Sequence, residues 1–144
     1  MKIQNKRFIY LISPTKIVYN TFFKSLELVL KSKKVSFFQL RLKNEKLSKK
    51  ILISKRILPI CKKYKVKFLV NDDPVLALKV NADGCHLGQK DMNIVEARKI
   101  LKNKIIGITC HNSIKLARNA LISGANYIAI GAFYKTKTKK IRFR

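Results

Sequence analysis

The chain has 144 residues, 47% of them apolar, with 33 Lys+Arg against 7 Asp+Glu and a formal net charge of +26. That length suits one domain with its own core, and that apolar content excludes a disordered tail. The early apolar run from Phe8 to Ile12 is too short for a signal-peptide core or a membrane span, so a soluble, cytoplasmic protein is expected. Cys61, Cys85 and Cys110 form a sparse, odd set, which suits reduced thiols rather than a disulfide framework.

So basic a chain invites a nucleic-acid reading, because Lys and Arg neutralise phosphates and release counterions. The lysines, however, are spread along the whole chain, and aromatics are not interleaved with them as stacking platforms. A solvated Lys-rich surface accounts for this pattern, with non-specific polyanion binding expected in vitro.

In chain order, Arg7–Ser13 is predicted as a buried strand ended by Pro14, and helical spacing follows at Val18, Phe22, Leu26, Val29 and Leu30. Val35–Leu42 reads as a second strand. A helix capped by Ser48 then carries Ile53, Ile57, Ile60 and Tyr64 on one face. Lys67–Asn71 is the third strand, and Pro74 suits the first turn of a short helix over Val75–Val80. Gly84–Leu87 is strand four. Asn93 and Glu96 resemble a capping box opening a helix over Ile94–Leu101.

Ile105–Cys110 is strand five. Ser113 caps a helix whose Ile114, Ala117 and Leu121 share a face, and Gly124 ends it. Tyr127–Phe133 is strand six. Apolar strands alternating with helices imply a parallel sheet covered by helices. No Gly-x-Gly-x-x-Gly turn follows any strand, which removes the dinucleotide-binding version of an open doubly wound sheet. Polar residues sit at the C-terminal ends of strands two through six, as a (β/α)₈ barrel site requires. The expectation is one α/β domain over residues 1–144, a TIM-type barrel with about six βα units. Strands seven and eight are not accounted for, so a C-terminally truncated barrel with two unpaired edges, open to self-association, is expected.

Four of the seven acids, Asp72, Asp73, Asp83 and Asp91, fall between Phe68 and Asp91. Asp72 and Asp91 follow successive strands and can converge on one Mg²⁺ through hard oxygen ligands. Asp73 before Pro74 is better read as a helix cap, although Asp91 could also cap the helix that follows it. Gln39, Arg41 and Lys43 share one strand face by period two; Arg offers a fork to two phosphate oxygens and Lys a movable charge. A solvent-facing polar edge strand is the lesser alternative. Thr136, Thr138 and Lys139 after strand six form a plausible phosphate contact, or simply a basic loop. Cys85-His86 and Cys110-His111 are poor zinc or nucleophile candidates, because adjacent strand residues face opposite ways.

With these residues placed, the sequence resembles the thiamine-phosphate synthase family. The matching pieces are Gln39 to Lys43, Val70 to Asp73, Ala82 to Asp91, Ile106 to His111 and Gly131 to Lys139, in family order. The resemblance implies a (β/α)₈ barrel transferase that joins hydroxymethylpyrimidine diphosphate to thiazole phosphate. In that family the C–O bond breaks first, and the thiazole nitrogen captures a pyrimidine-methyl cation. It further implies Mg²⁺ on Asp72 and Asp91, and diphosphate on Arg41, Lys43, Asn71 and Lys139. Arg41, Lys43 and Lys139 would then act catalytically by stabilising the leaving group. Gln39 would contact the pyrimidine, and Thr136 and Thr138 the thiazole phosphate. Thr109 stands where the family usually has a Ser touching diphosphate, and Ala132 and Lys135 replace residues that are commonly Pro. The alternative is a tautomerase-like or regulatory relative, whose chemistry needs no diphosphate cage.

Overall fold

The structure, a computed structural model, describes residues 8–134. Six strands, β1 (Ile9–Ile12), β2 (Val35–Leu40), β3 (Lys67–Asn71), β4 (Gly84–Leu87), β5 (Ile105–His111) and β6 (Tyr127–Ile130), alternate with five helices. The helices are α1 (Tyr19–Lys31), α2 (Leu47–Lys63), α3 (Pro74–Lys79), α4 (Ile94–Leu101) and α5 (Ile114–Ile122). Every strand pairs in parallel with the next, in the order β1-β2-β3-β4-β5-β6. The sheet is strongly rolled: the Tyr10 hydroxyl on β1 lies 2.7 Å from that of Tyr127 on β6. This is the α/β barrel-type curvature expected, with six βα units. Among the described residues, the outer edges of β1 and β6 carry no further strand.

Alternation along each strand separates two environments. Toward the helices, Phe38, Phe68, Val70, Cys85, Leu87 and Ile106 pack against residues such as Leu30, Ile57, Ala77 and Ala97 in one core. Toward the inside of the curve, the same strands present Tyr10, Gln39, Asn71, His86, Thr109 and Tyr127, which bond to one another. Gly107 makes room for this arrangement, since a Cβ there would lie 1.9 Å from Tyr127 Cζ.

Several caps follow the sequence. Asp73 accepts from the Leu76 amide, Asn93 from Glu96, and Ser113 from Leu116. Gly124, at φ +94°, follows the end of α5. Other boundaries moved. Ser48 is not the cap of α2; Lys46 holds that position in extended backbone without a side-chain bond, and Ser48 falls inside the first turn. β2 stops at Leu40 rather than Leu42, β6 at Ile130 rather than Phe133, and β5 runs on to His111 through an irregularity between Thr109 and His111.

The buried face of α1 is Phe23, Leu26 and Leu30; Val18 and Val29 are exposed and Phe22 only half-buried, a rotation of about one residue about Leu26. On α5 the buried residues are Ala117 and Ala120, small enough for close approach to β5 and β6, whereas Ile114 and Leu121 face outward. Among the described residues no helix is long and apolar enough to cross a membrane.

Candidate active site

The C-terminal end of β3 builds the acidic half of the site. Asn71 closes the strand on the inner face. Asp72 then takes a left-handed conformation, φ 66°, that Asp tolerates better than bulkier residues. Its amide still donates to the His86 carbonyl at 2.8 Å, so the turn is tied to β4. The reversal lets the Asp73 side chain cap α3 and leaves the Asp72 carboxylate to point elsewhere.

That carboxylate meets the Lys43 ammonium at 3.5 Å and makes contact with Asp91. Burial raises the Asp72 carboxyl above its ordinary range, and the Asp91 carboxylate raises it further; Lys43 pulls it back. Asp91 is held by the turn after β4, where its Oδ2 accepts the Gly88 amide at 2.6 Å. A Cβ on Gly88 would stand 2.9 Å from that oxygen, so glycine keeps the turn tight. Two adjacent carboxylates, one of them paired with a lysine, fit Mg²⁺, which is usually held by one or two carboxylates plus substrate phosphates. No group of three or more His, Cys, Asp or Glu positioned for a metal occurs among the described residues. His86 faces inward while Cys85 packs under the helices, so the Cys-His pairs form no zinc site.

A cavity of about 500 Å³ opens here, walled by Leu42, Lys43, Lys50, Asn71, Asp72, Asp73, Pro74 and Met92. Arg41 is half-buried just past the end of β2, its amide donating to Ser13 Oγ at 2.8 Å, and is not part of this wall. The shared face predicted for Gln39, Arg41 and Lys43 therefore holds only through Gln39 as strand; Arg41 and Lys43 lie in the loop beyond.

Below the rim lies a chain of polar side chains. Gln39, 2% exposed, receives the Tyr10 hydroxyl hydrogen at 2.9 Å and donates its amide to Asn71. Tyr10 has only that one hydrogen, so Tyr127 donates to Tyr10, and His86 Nδ1 at 2.8 Å donates to Tyr127. His86 Nε2 is 2.9 Å from Thr109 Oγ1, and Gln89 Nε2 donates to the Thr109 carbonyl at 2.6 Å. Burial pushes the Tyr10 phenol up to about 12 and raises Tyr127 as well, so both keep their protons. Sequence reasoning singled out Gln39, Asn71 and Thr109, weighed His86 only as a zinc or nucleophile candidate, and missed Tyr10, Tyr127 and Ser13. Only their inward strand faces mark Tyr10, His86 and Tyr127. Thr136, Thr138 and Lys139 lie outside the described residues.

Comparison with known proteins is consistent with this geometry. The thiamine monophosphate synthase family matches residues 9–143. The chain is 65% identical over 140 residues to a thiamine-phosphate synthase of Pelagibacter ubique, covering 97% of this chain and 68% of that protein. It is 40% identical over 138 residues to one from Saccharophagus degradans, covering 94% of this chain and 63% of the relative. Among solved structures, a thiamine phosphate pyrophosphorylase from Pyrococcus furiosus superposes with a TM-score of 0.79 at 30% identity, over 88% of this chain and 61% of that one. The chain thus spans about two thirds of the length of these proteins. All three carry the synthase or pyrophosphorylase name, which favours the transferase over the tautomerase-like alternative.

Proposed function

The chain belongs to the thiamine-phosphate synthase family, and from that premise we propose that it contributes to a cytoplasmic transferase joining a pyrimidine diphosphate to thiazole phosphate. The observation that carries the reading is the convergence of Asp72, Asp91 and Lys43 at the rim, directly above the polar chain that holds Gln39. Asp72 and Asp91 are the residues to hold Mg²⁺, which would neutralise charge on the departing diphosphate. The Lys43 ammonium beside Asp72 would offer its charge to the diphosphate oxygens, and Arg41 and Asn71 would supply further donors. Gln39 is clamped by Tyr10 and Asn71 and so presents a fixed amide to the pyrimidine. Breakage of the C–O bond leaves a pyrimidine-methyl cation for the thiazole nitrogen to capture, so the protein contributes position and electrostatics rather than a covalent intermediate. Lys139, Thr136 and Thr138 complete this reading as diphosphate and thiazole-phosphate contacts, as does Thr109 on the diphosphate side.

The test is Mg²⁺-dependent release of diphosphate from the two substrates. Replacing Asp72 or Asp91 by Ala is expected to lower the rate roughly 100-fold. Undiminished turnover in both variants would sink the metal assignment.

A further inference from the structure

Lys50 sits in the first turn of α2, away from the strand ends that supply the other polar residues, yet it forms part of the same cavity wall as Lys43, Asn71 and Asp72. It is half-buried, whereas Lys46 and Lys49 beside it are exposed. Lys49 is occupied by Glu45 at 2.7 Å; among the described residues Lys50 takes part in none of the four ion pairs. No acid stands in the first turn of α2, and a cation there is disfavoured by the helix dipole. Nor do the neighbouring carboxylates offset it: Asp73 is engaged as the cap of α3, and Asp72 faces Lys43 and Asp91.

We propose that Lys50 is a further diphosphate-binding residue of this site, an inference that rests on the transferase reading above. A diphosphate in the cavity brings the anionic oxygens that the ammonium of this half-buried lysine lacks. With Asp72 turned to a metal ion, Lys43 and Lys50 would grip the anion from the β2 loop and from α2. Because Lys50 stands on the helix and not at the reacting end of Gln39, it acts on affinity for the diphosphate group and its release. The C–O bond-breaking step is left to the rim residues.

The experiment is a calorimetric titration of inorganic diphosphate with Mg²⁺ into the whole chain and into Lys50→Gln, Lys50→Arg and Lys49→Gln. Lys50→Gln should bind about five-fold more weakly, the worth of one partly exposed ion pair. Lys50→Arg should retain most of the affinity, and Lys49→Gln should stay within about two-fold of the parent. Equal affinities for Lys50→Gln and Lys49→Gln, with the parent binding normally, overturn the role of Lys50 alone. A parent chain that binds no diphosphate, with or without Mg²⁺, overturns the diphosphate site itself and Lys50 with it.

Discussion

Asp91→Asn separates the electrostatics of the site from its architecture. The amide keeps an oxygen for the Gly88 N–H, so the turn after β4 retains its bond, while the charge beside Asp72 disappears. Two unit charges about 4 Å apart repel by about 1 kcal/mol in water and about 4 kcal/mol at an effective dielectric of 20. The Asp72 side chain is 30% exposed and Lys43, its 3.5 Å partner, 44%, so screening places the effect near the lower limit. The metal-free variant should therefore gain about 1 kcal/mol near neutral pH, or roughly 3 °C in Tm. The sign follows from linkage. Asp72 is raised above its ordinary 3.8 in the folded state, so its contribution is fully present below that pH and lost as pH rises through the folded value. The gain from Asp91→Asn should accordingly shrink to nothing toward pH 3.8. Thermal melts across pH, with and without Mg²⁺, are the assay. Mg²⁺ at ten times its Kd should stabilise the parent by about 1.4 kcal/mol and the variant far less. A variant less stable than its parent at neutral pH, without metal, would refute the like-charge reasoning.

Gly107→Ala would drive a Cβ into the Tyr127 ring, and should cost about 2–3 kcal/mol, read as a lower urea midpoint at unchanged m-value; a shift below about 0.5 kcal/mol would mean the ring moves freely. At the opposite end of the strands, the Arg98 guanidinium donates to the carbonyls of Lys102, Lys104 and Gly124 and to Asn126 Oδ1 at 2.5 to 2.7 Å. Arg98→Ala should therefore cost about 2 kcal/mol by the same measurement while leaving diphosphate affinity unchanged, since that end of such a fold serves stability.

The elements most legible in the sequence were those whose local chemistry agrees with their packing. Asp73-Pro74, Asn93 with Glu96, and Ser113 each announce a helix start, and each forms the cap expected. α2 has no such signal at Lys46, and Ser48, the nearest capping residue, drew the boundary two positions too far on. For α1 and α5, apolar residues outnumber the places beneath the helix, so periodicity alone could not choose between Phe22 and Phe23 or between Ala120 and Leu121. The acidic rim was legible because acids are rare in this chain and cluster after two consecutive strands. The inner polar chain was not. Tyr10 and Tyr127 lie 117 residues apart in sequence, and only the roll of the sheet brings them together.

That roll also divides the charges: Lys43, Asp72 and Asp91 stand at the rim, whereas the inner chain from Gln39 to Thr109 holds no carboxylate, Lys or Arg. Gln39→Glu tests whether the neutrality matters. The position is 2% exposed, and the new carboxylate would keep the Tyr10 hydroxyl as donor, with Asn71 free to turn its amide nitrogen toward it. Hydrogen bonding is thus replaceable, and the remaining cost is desolvation, about 2 kcal/mol or more near pH 7.5. Burial raises the folded pKa of such a glutamate, so stability should be intact below its unfolded value of about 4.3 and fall as pH rises through the folded one. Melts between about pH 4.5 and 7.5 should show the variant approaching its parent on acidification. A deficit that stays constant over that range would assign the cost to packing, and the absence of a carboxylate at this position would then be a matter of shape rather than of charge.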